Sequence, residues 1–193
     1  MEDVTASSRT GACSIRCMKQ DNASPGERLL AQWSRLEGWP GGKALFSYMV
    51  GRGAPYTGTI GARIEELRPG YVRARLRDRK QVRNHLDSVH AVALANLGEV
   101  TSGLATLTAL PPNVRGIVTE LATQYKKKAR GTLIAESHSE VPGPAAAGGG
   151  EGPIEHQVEA VIRDQSGDEV ARVRVTWLLS PRSDGDGDGD GEG

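Results

Sequence analysis

Cysteine, long apolar runs and an excess of either charge are all missing from this chain, and each absence excludes a class of protein. Cys13 and Cys17 are the whole cysteine complement. They lie in a polar N-terminal stretch and build neither a disulfide framework nor a four-cysteine zinc site, so the expected setting is cytoplasmic. No apolar run approaches the roughly 20 residues that a membrane-spanning helix needs. The 24 Lys and Arg balance 24 Asp and Glu. A molecule without a net field has no general means of gathering nucleic acid or an anionic membrane surface. Glu2 and Asp3 argue against a secretory or typical organelle-targeting leader. Gly51 and Gly53 do not complete a dinucleotide fingerprint, because Tyr56 occupies its last required position.

What is present is one domain's worth of patterned sequence, 193 residues with 37% hydrophobic side chains, between ends that have little to bury. Residues 1–24 mix Ser, Thr, Gly and scattered charge and read as a disordered leader. The tail, 181–193, becomes an Asp-Gly alternation and reads as solvated and acidic. An EF-hand loop beginning at Asp184 would place its twelfth ligand beyond Gly193, so the alternation is not a calcium motif. The domain is expected over 25–180, interrupted by a flexible, Ala- and Gly-rich loop at 141–153.

Within those bounds the periodicities are legible. Leu29–Leu36 and Ala44–Val50 read as short helices parted by the Gly-Trp-Pro-Gly-Gly breaker. Ile60, Ala62 and Ile64 alternate with polar residues, and after the Pro69-Gly70 turn so do Val72, Ala74 and Leu76, which predicts a hairpin. A second hairpin is expected from Ile154–Ile162 and Ala171–Leu179 through a turn near Ser166-Gly167. Two further runs, Ile117–Tyr125 and Thr132–Glu140, meet around Arg130-Gly131. Ser88–Leu110 has no Pro and is apolar or small nearly all round; it reads as a long buried helix capped by Asp87 or Ser88. The sum is an α+β domain, a six-stranded antiparallel sheet wrapped around a long central helix.

Glu99 lies about eleven residues inside that helix, among Leu97, Val100 and Gly103, where an uncompensated charge costs several kcal/mol. Asn96 is one turn before it. The loop ahead of the helix supplies Asn84 and His85, and the first helical amides point toward that loop. A carboxylate, a carboxamide and free backbone donors suit acyl transfer. The bland alternative for Glu99 is an ion pair with Arg or Lys of a neighbouring strand, and for Asn84 a turn residue.

The stretch Asn84-His85-Leu86-Asp87-Ser88-Val89-His90-Ala91-Val92, with Glu99 nine residues after His90, resembles the hot-dog thioesterase superfamily. The likeness is greatest to its phenylacetyl-CoA-thioesterase-like branch or a related, little-characterised branch, whose members carry Asn, five residues, His-Gly-Gly and an acid nine after the His. Gly116–Tyr125 is similar to that family's third strand. The resemblance spans roughly 60–179 and implies a hot-dog fold and an acyl-CoA thioester hydrolase, with no metal or redox cofactor. It further implies a homodimer or tetramer, with the site shared between subunits. By this resemblance Asn84 and the backbone N–H of Ala91 hold the thioester carbonyl, while Glu99 from the partner activates water or attacks directly. His90 and Val92 would line the substrate, and Lys126, Lys127, Lys128 and Arg130 would lie near the CoA phosphates. The chain departs from the pattern where Ala91 and Val92 replace the paired glycines. Val118, with Thr119 alongside, stands where some relatives carry a Ser. The rival reading is a non-catalytic acyl-CoA or lipid-binding module of the same fold.

Overall fold

The computed structural model describes residues 23–143 and 152–182; the expectations for the leader, the middle of the 141–153 loop and the acidic tail fall almost wholly outside them. The first ordered element is α1 (Pro25–Leu36), whose start is a capping box. Ser24 Oγ accepts from Glu27 N–H, and Glu27 Oε2 accepts from Ser24 N–H at 2.7 Å. Ser24, assigned from sequence to the leader, is therefore part of the fold and is buried. α2 (Gly42–Gly53) and the one-turn α3 (Pro55–Gly58) follow; α3 has too few residues for any periodic signal. Trp33 of α1 meets Phe46 of α2 edge to face, with ring centroids 5.1 Å apart.

β1 (Arg63–Arg68) and β2 (Tyr71–Leu76) form the first hairpin, turning at Gly70 with a φ of +72°. The expected strand from Ile60 to Ile64 is corrected here. Gly61 has a φ of +59° and holds the chain in a turn, so pairing begins at Arg63, and a bulge between Ile64 and Glu66 shifts the alternation. Leu67 thus joins Ile64 in the core. α2 lies beside this edge strand and satisfies part of it: Ser47 Oγ accepts from Ile64 N–H at 2.8 Å, and Lys43 Nζ donates to Glu65 C=O at 2.7 Å.

The long helix, α4, spans Ala91–Ala109. Its cap is neither Asp87 nor Ser88. Asp87 sits in the left-handed region at φ +49° and Ser88 Oγ is committed to Asn84, so the helix begins three residues later. There His90 Nδ1 accepts from Val92 N–H at 3.1 Å. Polar residues survive inside the buried helix by bonding back to it. Thr101, Ser102, Thr106 and Thr108 each donate to the carbonyl four residues earlier, at 2.6–2.9 Å.

β3 (Val114–Tyr125), β4 (Leu133–His138), β5 (Ile154–Arg163) and β6 (Glu169–Pro181) complete an antiparallel sheet of order β1-β2-β4-β5-β6-β3. The β5–β6 hairpin is the one expected, and the sheet runs one residue past Ser180, to Pro181. The meeting of β3 and β4 around Arg130-Gly131 is corrected: they are consecutive in sequence and far apart in the sheet, β3 pairing with β6 and β4 with β2 and β5. The connection between them crosses beside the start of α4, where Val89 N–H donates to Ala129 C=O at 2.8 Å, so it bridges the sheet rather than turning tightly.

The sheet curls around α4. Its inner face carries Val72, Ala74, Leu76, Leu133, Ala135, Val158, Ile162, Val173 and Val175 against Leu97, Leu104 and Ala105 of the helix. Its outer face carries an ion-pair lattice in which Glu159 accepts from both Arg172 and Arg174, and Glu136 from Arg73. This is the period-two pattern resolved into a dry side and a wet side. β3 breaks it: from Gly116 to Tyr125 it is exposed on most positions, and the exposed side chains include Ile117, Val118, Leu121 and Tyr125.

Candidate active site

Glu99 lies on the side of α4 that looks toward β6 and the β3 edge. A Cβ added at Gly103, one turn on, would sit 3.9 Å from Glu99 Oε1 and 3.6 Å from the ring of Trp177, and Trp177 pairs with Val118 across β6–β3. Glu99 is partly buried, and among the described residues its carboxylate has no hydrogen bond or ion pair. Burial alone pushes its carboxyl above the usual glutamate range. The ion-pair alternative for Glu99 therefore finds no partner among the described residues. Asn96, one turn before, donates from Nδ2 to Tyr56 C=O at 3.3 Å, while its buried Oδ1 has no partner. The signal for Asn96 was its spacing from Glu99; its link to α3 was not readable, because α3 itself was not.

The loop before α4 is built around Asn84. Asn84 Oδ1 accepts from Leu86 N–H at 2.9 Å, Ser88 N–H at 3.3 Å and Ser88 Oγ at 3.1 Å, and Asn84 N–H donates to Ser88 C=O at 2.9 Å. The turn reading is thus part of the answer, since the side-chain oxygen is spent on the loop. The same bonds fix the carboxamide's direction and leave Nδ2 without a partner among the described residues. Ala91 opens the helix, exposed, with its N–H outside the backbone ladder, while its carbonyl accepts from Tyr125 Oη at 3.1 Å. The last residue of β3 is thereby tied to the start of α4. His90 spends Nδ1 on the helix cap, and Val92 is half-exposed on the first turn.

The basic run is largely occupied by neighbours. Lys126 lies 3.2 Å from Glu169, whose carboxyl the Arg172 guanidinium, with Lys126, holds down to about 2. Lys127 reaches both Asp164 and Asp168, at 2.7 and 2.6 Å, and Arg130 donates to the carbonyls of Asp87 and Leu86. These acids come from the β5–β6 turn, about forty residues downstream, so the neutralisation was not visible locally. Arg130 fastens the Asn84 loop, and among the described residues Lys128 alone of the four has no such anchor.

Among the described residues no group of three His, Cys, Asp or Glu side chains comes together as a metal site, and no helix is long and apolar enough to cross a membrane. The chemistry on offer is that of a desolvated carboxylate two turns inside a helix whose first turn leaves an amide donor unspent, with an oriented carboxamide in the loop ahead of it.

Comparison with known proteins agrees with this architecture. Residues 42–179 match the family model described as a domain of unknown function, DUF4442. No curated protein sequence matches the chain. Among solved structures, a structural-genomics protein is 28% identical with a TM-score of 0.65, covering 79% of this chain and 98% of its own. A Pseudomonas aeruginosa protein of unknown function, called a probable thioesterase, is 25% identical with a TM-score of 0.64, covering 75% and 97%. A hypothetical thioesterase from Streptococcus pneumoniae, solved with coenzyme A, shares the fold at 18% identity and a TM-score of 0.54, covering 69% and 99%. With the six-stranded sheet curled around one long helix and a family model matching most of its length, this chain belongs to the DUF4442 family, within the hot-dog thioesterase superfamily.

Proposed function

We propose that the protein hydrolyses acyl-CoA thioesters at a site shared between two subunits. The observation that carries this is Glu99, a half-buried carboxylate with no charged partner among the described residues, held on the central helix two turns past an unspent backbone donor. A structural acid in that position would be paired; an unpaired one is a cost that a reaction can justify. Asn84 Nδ2 and Ala91 N–H supply donors for the thioester carbonyl as its oxygen gains charge. Glu99 of the partner then takes the proton of a water that attacks the carbonyl carbon, or attacks that carbon itself. In the first course the C–S bond breaks, the proton held by Glu99 passes to the departing sulfur, and CoA leaves as the thiol beside the free acid. In the second the acyl group is carried on Glu99 as a mixed anhydride, the CoA thiolate takes a proton from solvent, and water then hydrolyses the anhydride and restores the carboxylate. The coenzyme A complex of the Streptococcus pneumoniae relative supports the choice of CoA ester.

The test is release of free thiol from a panel of aliphatic and aromatic acyl-CoAs by the purified protein. Hydrolysis of at least one is the expected result. Asn84→Ala should lower turnover, and because it would act together with Glu99, the double variant should lose much less than the product of the single losses. If the wild type binds acyl-CoA but releases no thiol from any ester, the rival non-catalytic binding module replaces this reading. Half-exposed Val92 at the helix start, and Val118 in place of a serine, are the observations on that side.

The shared site needs a dimer, and β3 supports one. A twelve-residue edge strand exposing Ile117, Leu121 and Tyr125 is an aggregation hazard for a monomer and a natural pairing surface for a second copy. Light scattering at micromolar concentration should give at least twice the chain mass. Leu121→Lys should shift it toward monomer and reduce thiol release in parallel. A folded, fully active monomer would exclude the shared site.

A further inference from the structure

A second feature lies away from Glu99. Between α2, α3 and the β1–β2 hairpin runs a cleft of about 700 Å³, within the range of ligand sites. Its interior is apolar, with Val50 from α2, Ile64 from β1 and Val100 from α4 among its walls. Four arginines line it, Arg52, Arg63, Arg75 and Arg77, and among the described residues no Asp or Glu does.

Such a concentration of like charge needs an explanation. Arg63 and Arg75 are directly opposite each other across β1–β2, a placement that is unfavourable for like charges. Arg75 is compensated in part: its Nε lies 2.7 Å from Glu65 Oε1, at an angle too poor for a hydrogen bond. Arg52, Arg63 and Arg77 have no ion pair or hydrogen bond among the described residues. Elsewhere on the same sheet arginines are matched, Arg73 with Glu136 and Arg172 and Arg174 with Glu159. Three arginines without a partner among the described residues, Arg52, Arg63 and Arg77, thus meet at one cleft. Guanidinium groups at an apolar cavity are suited to an oxyanion whose remaining body is hydrocarbon, the head meeting planar donors and the tail replacing water inside.

We propose that this cleft binds a single-chain amphiphile with an anionic head. The head, a carboxylate or a phosphate monoester, is held by Arg63, Arg77 and Arg52, and the chain runs past Ile64 toward Val100. Glu99 does not line the cleft, so the proposal stands apart from the hydrolase reading and does not depend on it.

The test is isothermal titration calorimetry of the full-length protein with dodecanoate and with dodecyl phosphate, both below their micellar concentrations. Dodecyltrimethylammonium and CoA serve as controls. One or both anionic amphiphiles should bind with a dissociation constant in the micromolar range, on the order of −8 kcal/mol at 1 μM. Which is tighter identifies the head group. Affinity should fall as NaCl is raised. Arg63→Ser and Arg77→Ser should each weaken binding by roughly tenfold or more, as expected for a charge-assisted contact. Ala44→Trp, which fills the exposed wall without touching the core, should abolish binding while the melting temperature holds. Absence of binding by both anions overturns the proposal. So does equal binding of the cationic amphiphile, which would mean hydrophobic contact alone. Binding unaffected by all three substitutions places the amphiphile elsewhere, and CoA competing as tightly as the amphiphiles would remove the need for a tail.

Discussion

Glu99→Gln is expected to lower thioester turnover by roughly a hundredfold or more, the usual scale for a catalytic acid–base group, while raising the melting temperature at neutral pH. The two effects have one origin. Glutamine keeps the volume and most of the hydrogen-bonding capacity of the side chain but carries no charge to desolvate and cannot serve as base or nucleophile. Because burial raises the carboxyl above the ordinary range, the folded state holds the proton more tightly than the unfolded chain does. Below the unfolded value, about 4.3, both states are protonated and the carboxyl costs nothing. As pH rises from there through the raised folded value, the unfolded chain releases its proton first and stability is lost; above the folded value the penalty is constant. The stabilisation from Glu99→Gln should therefore be present at pH 7.5 and vanish near pH 4. Activity of the wild type should fall as pH drops through the same raised value, since only the ionised form can act. An ion-paired Glu99 would give the opposite melt, a loss of about 3–5 kcal/mol on breaking a buried pair. Thermal melts at the two pH values and thiol release on the same samples decide it. Unchanged turnover across every acyl-CoA that the wild type hydrolyses would end the proposed mechanism.

Gly98→Ala should destabilise the centre of the core by the addition of a single methyl group. At 98 the central helix rests directly on β6: an added Cβ would lie 2.3 Å from Val173 Cγ2 and 2.4 Å from Val173 Cβ. Both are far inside contact distance, and Val173 is fully buried. Its β-branched side chain is stiff at χ1, and its Cβ cannot retreat without moving the strand. Overpacking of this kind costs up to about 3 kcal/mol, against which alanine's better helix propensity returns about 1 kcal/mol. The net expectation is a loss of about 1–2 kcal/mol, or roughly 2–8 °C in melting temperature for a domain of this size. Val173→Ala alone should also destabilise, by opening a cavity. Together the two changes should cost less than their sum, with a coupling of about 0.5 kcal/mol or more, because each relieves the other. Strictly additive losses would mean that the helix does not seat on Val173. Thermal melts of the four proteins are sufficient.

Much of the fold was legible because the inner and outer faces of β2, β5 and β6 differ so plainly. Val72, Ala74 and Leu76 against Arg73 and Arg75, or Val173 and Val175 against Arg172 and Arg174, can only be strands with one dry side. The helix was legible for the opposite reason, since residues that are apolar all round must be buried on most sides. Its exact start was not. Composition favours Asp87 or Ser88 as the cap, and His90 takes that place because Ser88 is drawn into the Asn84 loop. Likewise β3 and β4 are adjacent in the chain, and nothing in the connection between them says that it crosses the sheet.

Which side chains are dry, and at what spacing chemistry-bearing residues recur, can be read along the chain. Periodicity and the Asn84, Ala91 and Glu99 interval are local properties, carried by backbone geometry over a turn or a strand. Which charges are compensated emerges on folding, because compensation depends on residues brought together from distant parts of the chain. Lys127 is neutralised by Asp164 and Asp168 from another strand pair, whereas Glu99 is partly buried beside Gly103 with no cation paired to it among the described residues. Arg63 and Arg77 are left unmatched among the described residues, beside Arg52, which a helix carries to them. An electrostatic energy is a sum over neighbours in space, and spacing along the chain does not contain those neighbours.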